Sequence, residues 1–338
     1  TARHYGSSEF QLGNALEKFP DPERILQTKI PPSPNPITFE NELKLSFQKL
    51  RISRLDLLAI HGINLEEHLD YTMRPGGCME VVRRWQKEGK IGHVGFSTHA
   101  PIDLIIKAIK TDAFDFVNLH WYYIFQENEA ALDVALSHDL GVFIISPTDK
   151  GGHLHSPSPK LLELCHPLHP IIFNDLFCLS DYRVHTISVG ASKPGDLDLH
   201  LQAIGLLDQS YKFLPVIQSQ LTDAANKVLG EDWMKTWKIG LPEWQDSPGK
   251  MNIKSLLWLH NLVEAWDMEG FARSRYGLLG NGGHWFPGAN ADQLDNEISE
   301  VLLRNALVKS PWKNEIPHIL RRLQKRFSGS VQQRLSSA

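Results

Sequence analysis

Six short apolar runs recur between residues 24 and 190, each parted from the next by a stretch with room for a crossover, and no other feature restricts the fold so tightly. The runs are RILQTKI (24–30), RLDLLAIH (54–61), GHVGFST (92–98), FDFVNLH (114–120), GVFIISP (141–147) and VHTISVG (184–190). Each is near-continuously apolar, as a strand buried on both faces must be. Between them FENELKLSFQKLRI, MEVVRRWQKEGKI, PIDLIIKAIKT and ENEAALDVALSHD have helical periodicity. That alternation predicts a parallel sheet with crossover helices. A closed barrel of this kind has eight strands. Six visible runs, preceded by a polar loop at Thr1, therefore predict an α/β fold of the (β/α)8 TIM barrel type, N-terminally incomplete in this chain, with two strands upstream. The competing arrangement is an open, doubly wound sheet, for which a G-x-G-x-x-G turn after a strand is missing.

The strand rhythm stops near residue 225, where tryptophan, proline and glycine become frequent in EDWMKTWKIGLPEWQDSPGKMNI and NGGHWFPGANADQL. Helical patterns, IKSLLWLHNLVEAWDM and IPHILRRLQKRF, lie between these loops. The expected organisation is a barrel over residues 1–225 and a mainly helical C-terminal module over 226–338. A solvated tail would not carry so many tryptophans.

Composition narrows the function classes. At 338 residues and 42% hydrophobic the chain can bury a large core. A formal charge of only -4, with one basic stretch on a helical pattern, argues against nucleic acid. No run reaches the length of a membrane span. Cys78, Cys165 and Cys178 lack the spacing of a disulfide framework, which suits a reducing compartment and a cytoplasmic location.

Chemistry in a parallel barrel gathers where the strands end. Lys29 ends the first run, His61 ends the second, and Tyr5 lies in a loop that would follow an earlier strand. Each alone has a plainer explanation: a capping aromatic, a hydrogen-bonded structural histidine, a lysine reaching water. Together, at successive strand ends, they point to a shared cavity. A buried lysine calls for an anionic partner, most simply a carboxylate.

These residues resemble the aldo/keto reductase family. TARHYGSSE matches that family's signature from its second position onward; the family's catalytic aspartate would precede Thr1. LQTKI then supplies the family's lysine as Lys29, and DLLAIHG its histidine as His61. The resemblance covers roughly residues 1–205. It implies an NAD(P)H-dependent oxidoreductase that reduces an aldehyde or ketone, a small-molecule carbonyl substrate, with Tyr5 as proton donor, Lys29 as tuning cation and His61 orienting the carbonyl. It further implies that Ser97, Thr98, Asn118 and Ser146 contact the nicotinamide end of the cofactor. Gly190, Ser192, Lys193, Asp196 and His200 would lie at its phosphate end. Asp196 stands where many members carry an arginine, and would repel a 2′-phosphate, so NADP and NAD both remain open.

The second module resembles the C-terminal extension of a ferredoxin-like subgroup of the family. Ser247-Pro248 and Ser310-Pro311 stand where those relatives have Cys-Pro, and no cysteine follows Cys178, so no iron-sulfur cluster is expected. Aromatics such as Trp285 and Phe286 would fill its core or anchor a protein partner. CHPLH (165–169) matches no strong zinc spacing, and no metal is expected. The glycine-rich KGGHLH (150–155) reads as either a ligand contact or a plain barrel loop. A catalytically retired barrel acting as a binding or assembly protein is the alternative to the enzyme.

Overall fold

The computed structural model describes residues 1–19, 23–281, 285–295 and 298–329. Its packing divides into two compact units. The first comprises Thr1–Ser146 and Asp181–Val189, and the second Pro147–Ser180 and the chain from Gly190 onward.

The first unit holds one parallel sheet of six strands: β1 (Gln27–Ile30), β2 (Leu55–His61), β3 (Ile91–Ser97), β4 (Phe116–Leu119), β5 (Gly141–Ile145) and β6 (Thr186–Ser188). The strands are neighbours in chain order, β1-β2-β3-β4-β5-β6. A doubly wound sheet would reverse direction at a switch point, so sequential order excludes it. These are consecutive staves of a (β/α)8 barrel, and they fall on the six apolar runs, with only β3 starting one residue ahead of its run. Thr1 and Arg3 lie along the outer edge of β1, where their nitrogens donate to Gln27 O and Lys29 O at 2.9 Å each.

Alternation with period two gives the sheet two unlike faces. Leu58, Ile60, Val94, Phe96, Val117, Leu119, Val142 and Ile144 are all fully buried on one. Burial of each such side chain is worth about 1.5–3 kcal/mol. The first covering helix, Pro36–Leu50, starts at Asn35, whose side chain accepts from Ile37 N at 2.9 Å, and buries Phe39, Leu43, Phe47 and Leu50. Helix Cys78–Lys87 buries Val81, Val82 and Trp85, and the Trp85 ring meets Phe47 edge-on at 5.0 Å. Burial on both faces does not extend to β6, whose three residues are half-buried or exposed. It is an edge strand, paired only with β5 among the described residues.

The second unit is helical. Helix Ser210–Leu229 runs through residue 225 and packs on helix Ile253–Trp266, with helices Glu269–Leu278 and Ile316–Phe327 beside the latter. Trp233 donates through its indole nitrogen to Asn261 at 2.7 Å, and Trp258 packs on Phe271 and Phe286. Phe286 is buried, so Trp285 and Phe286 serve internal packing, while His284 of the same motif lies outside the described residues. All three cysteines are buried and unbridged. His169 caps helix Pro170–Leu179 by accepting from Ile171 N at 3.2 Å. Among the described residues no helix is long and apolar enough to cross a membrane.

Candidate active site

The opposite face of the sheet carries the polar groups, and strand register sorts them into rows. Lys29 pairs with Ala59, Ala59 with Gly95, and Gly95 with Phe116. One row toward the C-terminal ends, His61 pairs with Ser97, Ser97 with Asn118, and Asn118 with Phe143. The lysine row has little height at its centre, because a Cβ on Gly95 would come within 2.4 Å of the Phe116 ring.

Tyr5 reaches these rows from a tight turn. Its nitrogen donates to Ala2 O at 3.1 Å, and the next residue, Gly6, has φ +53°. The turn is held from behind: Arg3 pairs with Glu42 at 2.6 Å, and the buried Glu9 accepts from Thr28 Oγ1 at 2.7 Å. Lys29 Nζ then lies 5.4 Å from the centroid of the Tyr5 ring, and the Tyr5 and His61 rings meet edge-on at 5.5 Å. Lys29 is buried and donates to Thr1 O at 3.0 Å. Desolvation holds its ammonium down, from an ordinary 10.5 to about 8. Tyr5 is 49% exposed, so water reaches the phenol.

Of the residues expected at a nicotinamide, Ser97 and Asn118 are paired neighbours and both buried. Ser97 Oγ accepts from Gly62 N at 3.1 Å. The Asn118 amide nitrogen approaches Gln27 Oε1 at 3.5 Å, while Asn118 Oδ1 and Gln27 Nε2 are buried without a hydrogen-bond partner among the described residues. Thr98 faces elsewhere: its hydroxyl donates to Ile63 O at 2.7 Å and accepts from Ala100 N at 2.9 Å. Ser146 follows β5 at φ +55°, a conformation that strains a residue with a Cβ by roughly 1–3 kcal/mol.

The remaining candidates belong to the second unit. Asp196 Oδ2 accepts from Ser192 N and Oγ at 2.9 Å each and from Lys193 N at 3.1 Å, which holds its carboxyl below the ordinary range. The loop's amides therefore already bind an anion, their own carboxylate. Gly190 has open space around its Cα. His200 is buried with both ring nitrogens engaged, Nδ1 by Asp175 Oδ2 at 2.5 Å and Nε2 by Thr148 Oγ1 at 3.4 Å. The KGGHLH loop is fixed by Asp149, which pairs with His153 at 3.2 Å and with Arg275 at 3.1 Å.

Sequence reasoning passed over His99, His120 and Tyr122. His120 is buried, with Nε2 2.7 Å from His99 Nδ1 and Nδ1 2.7 Å from Tyr122 Oη. Tyr122 Oη donates in turn to Ile145 O. The available signal was positional: His99 and His120 follow Ser97 and Asn118 by two residues.

Residues 1–156 match the aldo/keto reductase family. No curated protein sequence matches the chain. Among solved structures, the aldo-keto reductase AKR11C1 from Bacillus halodurans in its holo form is 20% identical, with a TM-score of 0.56 over 65% of this chain and 80% of that one. The thermostable aldo-keto reductase Tm1743, solved with the inhibitor epalrestat, is 17% identical, with a TM-score of 0.52 over 65% and 80% of the two chains. At such identities these likenesses speak to the fold. Residues 1–156 are thus similar to the aldo/keto reductase family, and the backbone shares the fold of solved aldo-keto reductases.

Proposed function

We propose that the chain is an NAD(P)H-dependent oxidoreductase that reduces an aldehyde or ketone, with Tyr5 as the proton donor. The grouping of Tyr5, Lys29 and His61 within 5.5 Å ring and cation contacts at adjacent strand ends carries this reading. Aldo/keto reductases use NAD(P)H, which when bound supplies hydride to a carbonyl carbon. The chain's own groups then handle the oxygen and the proton. Tyr5 gives its phenolic proton to the carbonyl oxygen as that oxygen gains electron density, and His61 holds the oxygen in place. Lys29 stabilises the phenoxide left behind. For two unit charges about 5 Å apart such an attraction is worth about 1 kcal/mol in water and about 3 kcal/mol at an effective dielectric of ~20. Water reprotonates the half-exposed phenol.

The nicotinamide end fits the residues present. A carboxamide needs an acceptor for its NH2 and a donor for its carbonyl; the unpartnered Asn118 Oδ1 supplies the first and the Ser97 hydroxyl the second. For the phosphate end, Gly190, Ser192, Lys193, Asp196 and His200 keep their assignment on resemblance. Asp196 accepts readily from a free 2′-hydroxyl and repels a 2′-phosphate, which favours NAD(H). The amides it already fills are also what supports the alternative of a retired barrel acting as a binding or assembly protein. The division into a barrel over 1–225 and a helical module over 226–338 belongs to the same proposal.

Fluorescence titration with NADH and NADPH tests the reading. Binding of at least one in the micromolar range is expected; affinity for neither below millimolar overturns it. Tyr5→Phe should then lower carbonyl reduction at least a hundredfold and leave cofactor affinity within about twofold, as expected for removal of a general acid. Undiminished turnover in that variant excludes the acid role.

A further inference from the structure

A hydrogen-bonded chain crosses the ends of β3, β4 and β5. Tyr122 has one hydroxyl proton and donates it to Ile145 O, so toward His120 it can only accept. His120 Nδ1 must therefore carry a proton. In the neutral ring Nε2 is then an acceptor, and its partner 2.7 Å away, His99 Nδ1, must be the donor. One backbone carbonyl thus dictates the tautomer of two imidazoles in succession. The rings of His99 and His120 also face each other, with centroids 4.5 Å apart and planes 16° from parallel.

The chain is anchored at each member. His99 N donates to Asn64 Oδ1 at 2.7 Å, in the loop after β2. His120 O accepts from Asn128 Nδ2 at 2.9 Å. Tyr122 and Phe125 exchange backbone hydrogen bonds of 2.9 Å in both directions, which fixes the turn that presents the phenol. Such a chain does not deliver protons, because it ends on a backbone carbonyl that has none to pass. Nor does the phenol of Tyr5 need one, being 49% exposed.

We propose that His99, His120 and Tyr122 form a tautomer-locking chain that positions Ser97 and Asn118 against each other for a carboxamide ligand. His99 lies two residues beyond Ser97 and His120 two beyond Asn118, so their mutual bond spans the same strand pair one step further out. The buried Asn118 Oδ1 can accept from a ligand only at a defined distance from Ser97, and that distance is what a bond of 2.7 Å between the flanking imidazoles holds. This inference rests on the proposed function, since it takes the carboxamide to be that of a nicotinamide.

Two measurements on the full chain test it. Long-range 1H–15N correlation of the histidine rings at pH 8 should show His99 and His120 each protonated at Nδ1 alone; a proton on His120 Nε2, or tautomer averaging at either ring, overturns the chain. Tyr122→Phe keeps the ring and removes the hydroxyl, and should release His120 to a tautomer mixture. In that variant the Kd for NADH should rise threefold to tenfold while Tm moves by only a few degrees. An unchanged Kd with altered tautomers overturns the positioning role. If the unaltered chain binds neither NADH nor NADPH, the proposed function fails by itself, and the ring spectrum still decides whether the chain locks the tautomers.

Discussion

Lys29 is the residue at which stability and activity are set against each other. The residue is 7% exposed, and burial brings its pKa from 10.5 to about 8. Between those values the unfolded chain binds the proton and the folded chain does not, so unfolding free energy must rise with pH across that interval. A shift of about 2.5 units corresponds to about 3 kcal/mol. Urea unfolding of the full chain should therefore show stability increasing from pH 8 to 10, and Lys29→Met should flatten that dependence while raising stability at pH 7. A pH-independent difference between the two proteins would show that the ammonium is not desolvated. Lys29 and His61 were legible in the sequence because each lies at the end of an apolar run, and Tyr5 because of the TARHYGSSE segment that carries it. The imidazole pair was not, since His99 and His120 lie 21 residues apart and only strand pairing makes them neighbours. Nor could spacing reveal that Asp196 folds back onto the amides of Ser192 and Lys193.

At the scale of elements, β3 and β4 depend on a missing side chain. Gly95 lies opposite Phe116, and a Cβ there would sit 2.3 Å from Phe116 O as well as against the ring. A backbone oxygen cannot swing aside as a flexible side chain would. Gly95→Ala should destabilise the chain by about 3 kcal/mol, at the upper end of overpacking costs, and should weaken NADH binding by displacing β4 and with it Asn118. Calorimetry and cofactor titration read the two effects; an unchanged Tm would mean that β4 shifts at little cost. The central strands were legible because the helix-facing side of each is wholly apolar, as Leu58, Ile60, Val94, Phe96, Val117, Leu119, Val142 and Ile144 show. Their ends were less so. Arg24 and Ile25 belong to the first apolar run yet are exposed, ahead of the first residue of β1.

On the scale of the whole molecule, the order of packing differs from the order of sequence. Residues 147–180 lie between β5 and β6 in the chain but pack within the helical unit, where Ser158 Oγ donates to Trp266 O at 2.7 Å and Asp149 pairs with Arg275. The tryptophan, proline and glycine after residue 225 were visible as composition; the pairing of Asp149 with Arg275 was not, because the two are separated by 126 positions. The buried Arg275 also lies 4.7 Å from the Phe271 ring and 4.6 Å from the Trp285 ring, so its charge sits between aromatic walls beside the Asp149 carboxylate. His153 and Arg275 together hold the Asp149 carboxyl well below the ordinary carboxylate range. A depressed acid contributes stability that is present above its unfolded pKa and lost as pH falls through the folded one. Asp149→Asn should therefore cost about 1–2 kcal/mol at pH 7, less than a fully buried pair because the carboxylate is half exposed, mostly by removing a counter-charge from the buried Arg275 guanidinium. That penalty should shrink below pH 4 as the unfolded chain's carboxyl takes up a proton while the folded one stays ionised. Asp149→Asn combined with Arg275→Met should recover part of the loss, since the double variant buries no uncompensated charge. Urea unfolding at pH 7 and pH 3 measures all three proteins, and strictly additive losses would mean that the loop and helix Glu269–Leu278 are not coupled through this pair.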